Sequence, residues 1–187
     1  MSRSDALVAS TARRGESVLV WNVETGEQVA SLDVPGNADV CFSPDGRWLA
    51  VSGQSNCRLV RANDWSTSTV WPRSINGEFG VVAFHADGRI LATPVTPNTV
   101  RLIDVDTGRE LVTLTADEGT SIISLCFTSD NSRLIAAADF GPLLIWDFGR
   151  IRRELARIGL DWSSEPIPPA IDPQPFSVTY DPGKDAR

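Results

Sequence analysis

The sequence predicts an all-β protein made of repeated units of four short antiparallel strands. Three observations carry this reading: a segment that recurs at a fixed interval, β-branched and aromatic runs of strand length, and Asp-Gly or Thr-Gly turns between the runs. The segment Val40-Cys41-Phe42-Ser43-Pro44-Asp45-Gly46-Arg47-Trp48-Leu49-Ala50 returns as Val82-Ala83-Phe84-His85-Ala86-Asp87-Gly88-Arg89-Ile90-Leu91-Ala92. It returns again as Leu125-Cys126-Phe127-Thr128-Ser129-Asp130-Asn131-Ser132-Arg133-Leu134-Ile135. Phe42 lies 42 residues before Phe84, and Phe84 lies 43 before Phe127.

A second signature travels with the first. Leu19-Val20-Trp21-Asn22-Val23-Glu24-Thr25-Gly26 matches Leu102-Ile103-Asp104-Val105-Asp106-Thr107-Gly108, and Leu144-Ile145-Trp146-Asp147 is the last copy. The intermediate copy, Leu59-Val60-Arg61-Ala62-Asn63-Asp64-Trp65, is degenerate. In chain order each unit holds a strand ending at the Phe, an Asp-Gly turn, a strand around Leu49, Leu91 or Leu134, a turn, a strand ending in Trp-Asp or its equivalent, a Thr-Gly turn and a closing strand such as Gln28–Leu32 or Leu111–Leu114. One such sheet has two faces to bury, and stacking on its neighbours buries them.

The units are expected at 6–33, 38–72, 80–115 and 121–149 within a repeat region of 1–149. The first lacks its innermost strand and the last its outermost, so the total is just under four. Ile151, Leu155 and Ile158, with Phe148, form a helical stripe, which predicts an amphipathic helix over 148–160 packed on the last unit. The Pro-rich residues 161–187 are expected to be an extended tail, with Val178-Thr179-Tyr180 its one strand-like piece.

Composition narrows function. The 187 residues are 42% hydrophobic and 22% charged, with 17 basic against 24 acidic residues and a net charge of -7. That balance argues against a nucleic-acid surface, which normally needs a basic face, and no apolar run is long enough to span a membrane. The three cysteines, Cys41, Cys57 and Cys126, are widely spaced and form no metal or redox pair. Cys41 and Cys126 sit at equivalent repeat positions and read as small core residues, whereas Cys57 reads as an exposed turn residue.

These residues resemble the WD40 repeat, the blade of β-propellers, most specifically at Phe42 to Gly46 and Trp146-Asp147. The resemblance covers about 6–149 and implies an incomplete propeller acting as a protein- or peptide-binding scaffold. The Gly-His dipeptide of the family is absent. Asn56 and Asn98 stand near where many repeats place the aspartate of a structural hydrogen-bond tetrad, and that tetrad is not expected here. Residues 148–170, with Gly159-Leu160-Asp161-Trp162 and then Pro168-Pro169, resemble the tail that ends the WD40 region of large bacterial serine/threonine kinases. A cytoplasmic setting is expected, or an extracytoplasmic one if the chain is part of a membrane-tethered kinase.

No catalytic, cofactor or metal residues are expected. Asp139-Phe140-Gly141 spells the magnesium-binding tripeptide of kinases, but a chain whose only lysine is Lys184 and only histidine is His85 lacks the rest of that machinery. His85 replaces Ser43 and Thr128 in a repeated turn and reads as a partly exposed turn residue. The positions read as structural are Phe42, Asp45, Gly46, Phe84, Asp87, Gly88, Phe127, Asp130, Trp21, Asp104, Trp146 and Asp147. Asp45, Asp87 and Asp130 are placed to accept hydrogen bonds from their own turns. Arg150, Arg152, Arg153 and Arg157 lie off the helical stripe as a candidate partner-binding patch, against the plainer reading of a solvated face. A little under four blades is short of a usual ring. Three explanations stay open: part of a larger propeller, a homodimer closing a ring, or a half-ring whose last blade is completed by Val178–Tyr180. A propeller enzyme would need a cluster of His, Asp or Glu, and a remnant without function is a further alternative.

Overall fold

Alternating apolar residues and tight turns produce four antiparallel sheets in a computed structural model that describes residues 7–11, 17–74, 81–141 and 143–162. The first sheet is β1 (Leu7–Thr11), β2 (Ser17–Asn22) and β3 (Gln28–Asp33), in that spatial order. The second is β4 (Asp39–Phe42), β5 (Trp48–Ser52), β6 (Asn56–Arg61) and β7 (Thr67–Pro72). The third is β8 (Ala83–Phe84), β9 (Ile90–Thr96), β10 (Thr99–Asp104) and β11 (Glu110–Thr115). The fourth is β12 (Ile122–Phe127), β13 (Arg133–Ala138) and β14 (Leu144–Asp147), followed at once by α1 (Phe148–Arg157). The strand order within every sheet is the sequence order, as in the blades of a propeller, and β4, β8 and β12 are neighbours at the inner edge.

The sheets stack face to face, and three apolar cores fill the gaps between them. Val18 and Val20 of the first sheet meet Phe42, Leu49, Val51 and Val60 of the second. Ala50, Cys57 and Leu59 on the second sheet's forward face meet Phe84, Leu91 and Ile103 of the third. Ala92, Val100 and Leu102 then meet Leu125, Leu134, Ala136 and Phe148 of the fourth sheet and helix. Polar clips recur between sheets. The Arg58 guanidinium donates to the Asp33 carbonyl, and Arg101 donates to the Pro72 carbonyl at 3.2 Å. Trp71 Nε1 donates to the Gly108 carbonyl at 3.1 Å.

The stacking corrects the reading of the cysteines. Cys57 is in β6, not a turn, and is fully buried between the second and third sheets. Cys126 is exposed and Cys41 only partly buried. Both stand on the forward face of their innermost strand, where the following sheet covers Cys41. Among the described residues no sheet follows the fourth. The same face leaves Ile145 47% and Leu143 57% exposed, whereas Leu59 and Leu102, at the position of Ile145, are 0% exposed.

The helix also departs from expectation. It ends at Arg157, because Gly159 adopts a left-handed φ of 73°. The Leu160 N–H then bonds the Leu155 carbonyl at 2.9 Å and the Gly159 N–H bonds that of Ala156 at 3.1 Å, the paired bonds of a Schellman stop. Ile158, placed by periodicity on the buried stripe, is therefore past the helix and 68% exposed. Val178-Thr179-Tyr180 and the rest of the Pro-rich segment lie outside the described residues.

Candidate interaction surface

The repeated turns are built by their own side chains. Asp45 Oδ1 accepts from Ser43 Oγ at 2.6 Å and the Arg47 N–H at 3.0 Å. Asp130 Oδ1 accepts from Thr128 Oγ1 at 2.6 Å and the Ser132 N–H at 3.1 Å. Asp87 Oδ1 accepts from the Arg89 N–H at 2.8 Å, and His85 Nδ1 lies 2.7 Å from it, in the place of the two hydroxyls. The Thr128 and Ser132 donors hold the Asp130 carboxyl down at about 2. For Asp45 burial pushes upward, but the Ser43 and Arg47 donors outweigh it and the carboxyl is lowered. Gly46 and Gly88 supply φ of 73° and 75° after the aspartates, and Asn131 adopts 60° in the third copy.

His85 is packed, with its side chain 13% exposed, and its ring lies edge-on to Phe127 at 5.2 Å. Its Nε2 is 3.3 Å from the Asn131 carbonyl, while Asn131 Oδ1 accepts the Ala86 N–H at 3.0 Å, so it joins the third and fourth sheets. Phe42 and Phe84 are buried and Phe127 is half-buried. Trp21 and Trp146 are half-buried, Trp21 bonding Ser10 Oγ at 3.1 Å. Asp104 Oδ1 accepts the Thr107 N–H at 2.7 Å, and Asp147 Oδ1 caps the helix by accepting the Arg150 N–H at 2.8 Å. Phe140 of the Asp-Phe-Gly tripeptide is 88% exposed in a turn.

The four helix arginines do not form one patch. Arg152 points inward, is 7% exposed and makes a two-bonded pair with Asp161, both distances 2.9 Å. Arg157 pairs with Glu154 at 2.7 Å on the surface. Arg150 is exposed and Arg153 half-buried. Helical periodicity put Arg152 on the polar side; Asp161, brought back by the turn after the helix, supplies the charge that lets it be buried.

Two groupings escaped the sequence reading. Arg73 is buried, and its Nη1 donates to Ser52 Oγ at 2.5 Å and the Gly53 carbonyl at 2.6 Å, beside a Ser52–Thr93 hydroxyl contact of 3.4 Å. Burial raises the nearby Asp39 carboxyl against the pull of the Val40 and Val82 N–H groups and the Arg73 charge. The second is a surface cleft of about 410 Å³ at the turn end of the second sheet, lined by Asp45, Gly46, Arg47, Trp48, Arg61, Ala62 and Asn63. Its only advance signal was the degenerate copy around Arg61. Among the described residues no group of three metal-binding side chains occurs, and no helix is long and apolar enough to cross a membrane.

Stacked, radially ordered, open antiparallel sheets with turn-built loops define the propeller class of repeat protein. Residues 26–61 match the family described as "WD domain, G-beta repeat". The chain is 25% identical over 155 residues to the WD repeat-containing protein 91 homolog of Dictyostelium discoideum, covering 78% of this chain and 20% of that protein. It is 26% identical over 147 residues to the WD repeat-containing protein SL1-17 of Schistosoma mansoni, covering 77% and 48%. These matches support a WD40 domain, and the chain spans about a fifth and about half of the length of these two relatives. Among solved structures it is similar to the hydrazine synthase of Kuenenia stuttgartiensis, with a TM-score of 0.68 and 16% identity over 80% of this chain and 45% of that one. That likeness concerns the fold alone.

Proposed function

We propose that the chain is a non-catalytic scaffold that binds protein or peptide segments through the loops of its sheets. The observation that carries this is the WD-repeat match at 26–61 on a stack of sheets whose turns are braced internally, leaving the other loop side chains free to vary. Binding of a defined panel of acidic, basic and apolar peptides, followed by fluorescence polarisation, tests it: saturable binding of at least one class is expected. Failure of every class to bind overturns it.

The forward face of the fourth sheet, which no other sheet among the described residues covers, favours a second reading, in which another copy packs its first sheet there and completes the ring. Val8, Leu19 and Trp21 on the first sheet's backward face are half-buried residues of the kind that the inner interfaces cover. Sedimentation of the wild type against Ile145→Glu tests this; a wild type that remains monomeric at all concentrations sinks it. As wider context, we propose the WD40 region of a bacterial serine/threonine kinase in the cytoplasm, which rests on the segment from Gly159 to Trp162 and its Pro-rich sequel.

A further inference from the structure

One turn departs from the repeat in three ways at once. Where β2, β10 and β14 end in Asn22, Asp104 and Asp147, whose side-chain oxygens each accept backbone N–H groups of the residues that follow, β6 ends in Arg61, which can only donate. Asp64 braces the turn instead, accepting the Ser66 N–H at 2.9 Å and Ser66 Oγ at 2.6 Å. At the left-handed position that Gly26 and Gly108 fill with φ of 72° and 71°, the second sheet carries Trp65 at 59°. A bulky residue is held there only when its surroundings over-determine it, and Trp65 is packed on the core between the first two sheets.

The consequence is a guanidinium displayed on an aromatic plate. Arg61 lies over the Trp48 ring, 5.4 Å from its centroid, and among the described residues its side-chain hydrogen bonding is a long 3.5 Å contact with Ser66 Oγ. Among the described residues Arg61 forms no ion pair. The cleft's other guanidinium is already engaged by two carboxylates: Arg47 Nε holds Asp45 at 2.5 Å, and Arg47 Nη2 is 3.8 Å from Asp106. Arg61 is therefore the cleft's guanidinium with no carboxylate at ion-pair distance among the described residues, Asp64 of the same turn acting on it only at longer range, and its planar fork suits a carboxylate.

We propose that this cleft receives a glutamate or aspartate side chain of an acidic peptide segment, with Arg61 as the anchor and Trp48 as its support. The proposal rests on the scaffold reading and names the chemistry of its partner. The probe is a labelled peptide with glutamates spaced between glycine and leucine, set against its glutamine and lysine counterparts, on the full chain. The glutamate peptide is expected to bind at least tenfold more tightly than the glutamine peptide, with Arg61→Gln removing that difference, Arg61→Lys retaining part of it and Arg109→Gln, at an exposed arginine of the third sheet, leaving it intact. Circular dichroism verifies folding, which the exposed position of Arg61 favours. Equal binding of the glutamate and glutamine peptides, or a glutamate preference that survives Arg61→Gln, overturns the proposal. If lysine or apolar peptides bind regardless of Arg61, the cleft fails and the scaffold reading stands; if nothing binds the wild type, both fail.

Discussion

Replacing Ile145, Leu59 and Leu102 by alanine, one at a time, compares the same repeat position in three sheets and measures what a following sheet contributes. Leu59 and Leu102 are 0% exposed, so each truncation loses the full transfer free energy of the side chain and leaves a cavity, a cost of about 2–5 kcal/mol. Ile145 is 47% exposed. Roughly half of the ~1.5–3 kcal/mol gained on full burial is at stake there, and solvent enters the space, so about 1 kcal/mol is expected. Urea unfolding followed by tryptophan fluorescence, at concentrations where sedimentation finds monomer, reads the difference as a shift in midpoint at constant slope. An Ile145→Ala cost equal to that of Leu102→Ala in the monomer would falsify the open face. If a second copy covers the face, the Ile145→Ala cost instead grows with protein concentration.

Arg73→Ala is expected to lower stability by about 2–4 kcal/mol, because charge-assisted bonds of about 1.5–3 kcal/mol each are lost, partly offset by relief of a buried charge; an unchanged urea midpoint contradicts the bracing role. Asp161→Ala removes the partner that lies 2.9 Å from buried Arg152 and should cost about 1.5–3 kcal/mol, read as faster proteolysis near the helix; equal digestion rates refute it. Asp130 has a folded pKa of about 2, lowered from 3.8, so its stabilisation is present above 3.8 and is lost as pH falls toward 2. Asp130→Asn should therefore flatten the stability profile between pH 4 and 2, and an unaltered profile argues against the turn bonds.

The strand order and the turns were legible because both are local. Ser43 reaches Asp45 two residues away, and Thr128 reaches Asp130 in the same way, so a turn carries its own instructions. The cysteines show where this stops. Cys41 and Cys126 occupy one repeat position and differ in exposure only because of what stacks on each, and Cys57 looked like a turn residue although its strand is sandwiched between two sheets. Arg152 was misplaced for a related reason: its partner, Asp161, returns to it only after the Schellman stop at Gly159. The cleft was half legible, since the copy around Arg61 was visibly degenerate, yet nothing in it foretold that the guanidinium would lie on Trp48, a residue of the adjacent strand.

By itself the sequence determined the unit, its strands and its turns, since a 42- or 43-residue period and side chains that bond within a few positions need no knowledge of the rest of the molecule. The tertiary structure alone decided which faces are covered, which arginines are buried and that Arg61 stands over Trp48. Burial and charge pairing belong to neighbours brought together across the chain, and only the stacking of sheet on sheet determines who those neighbours are.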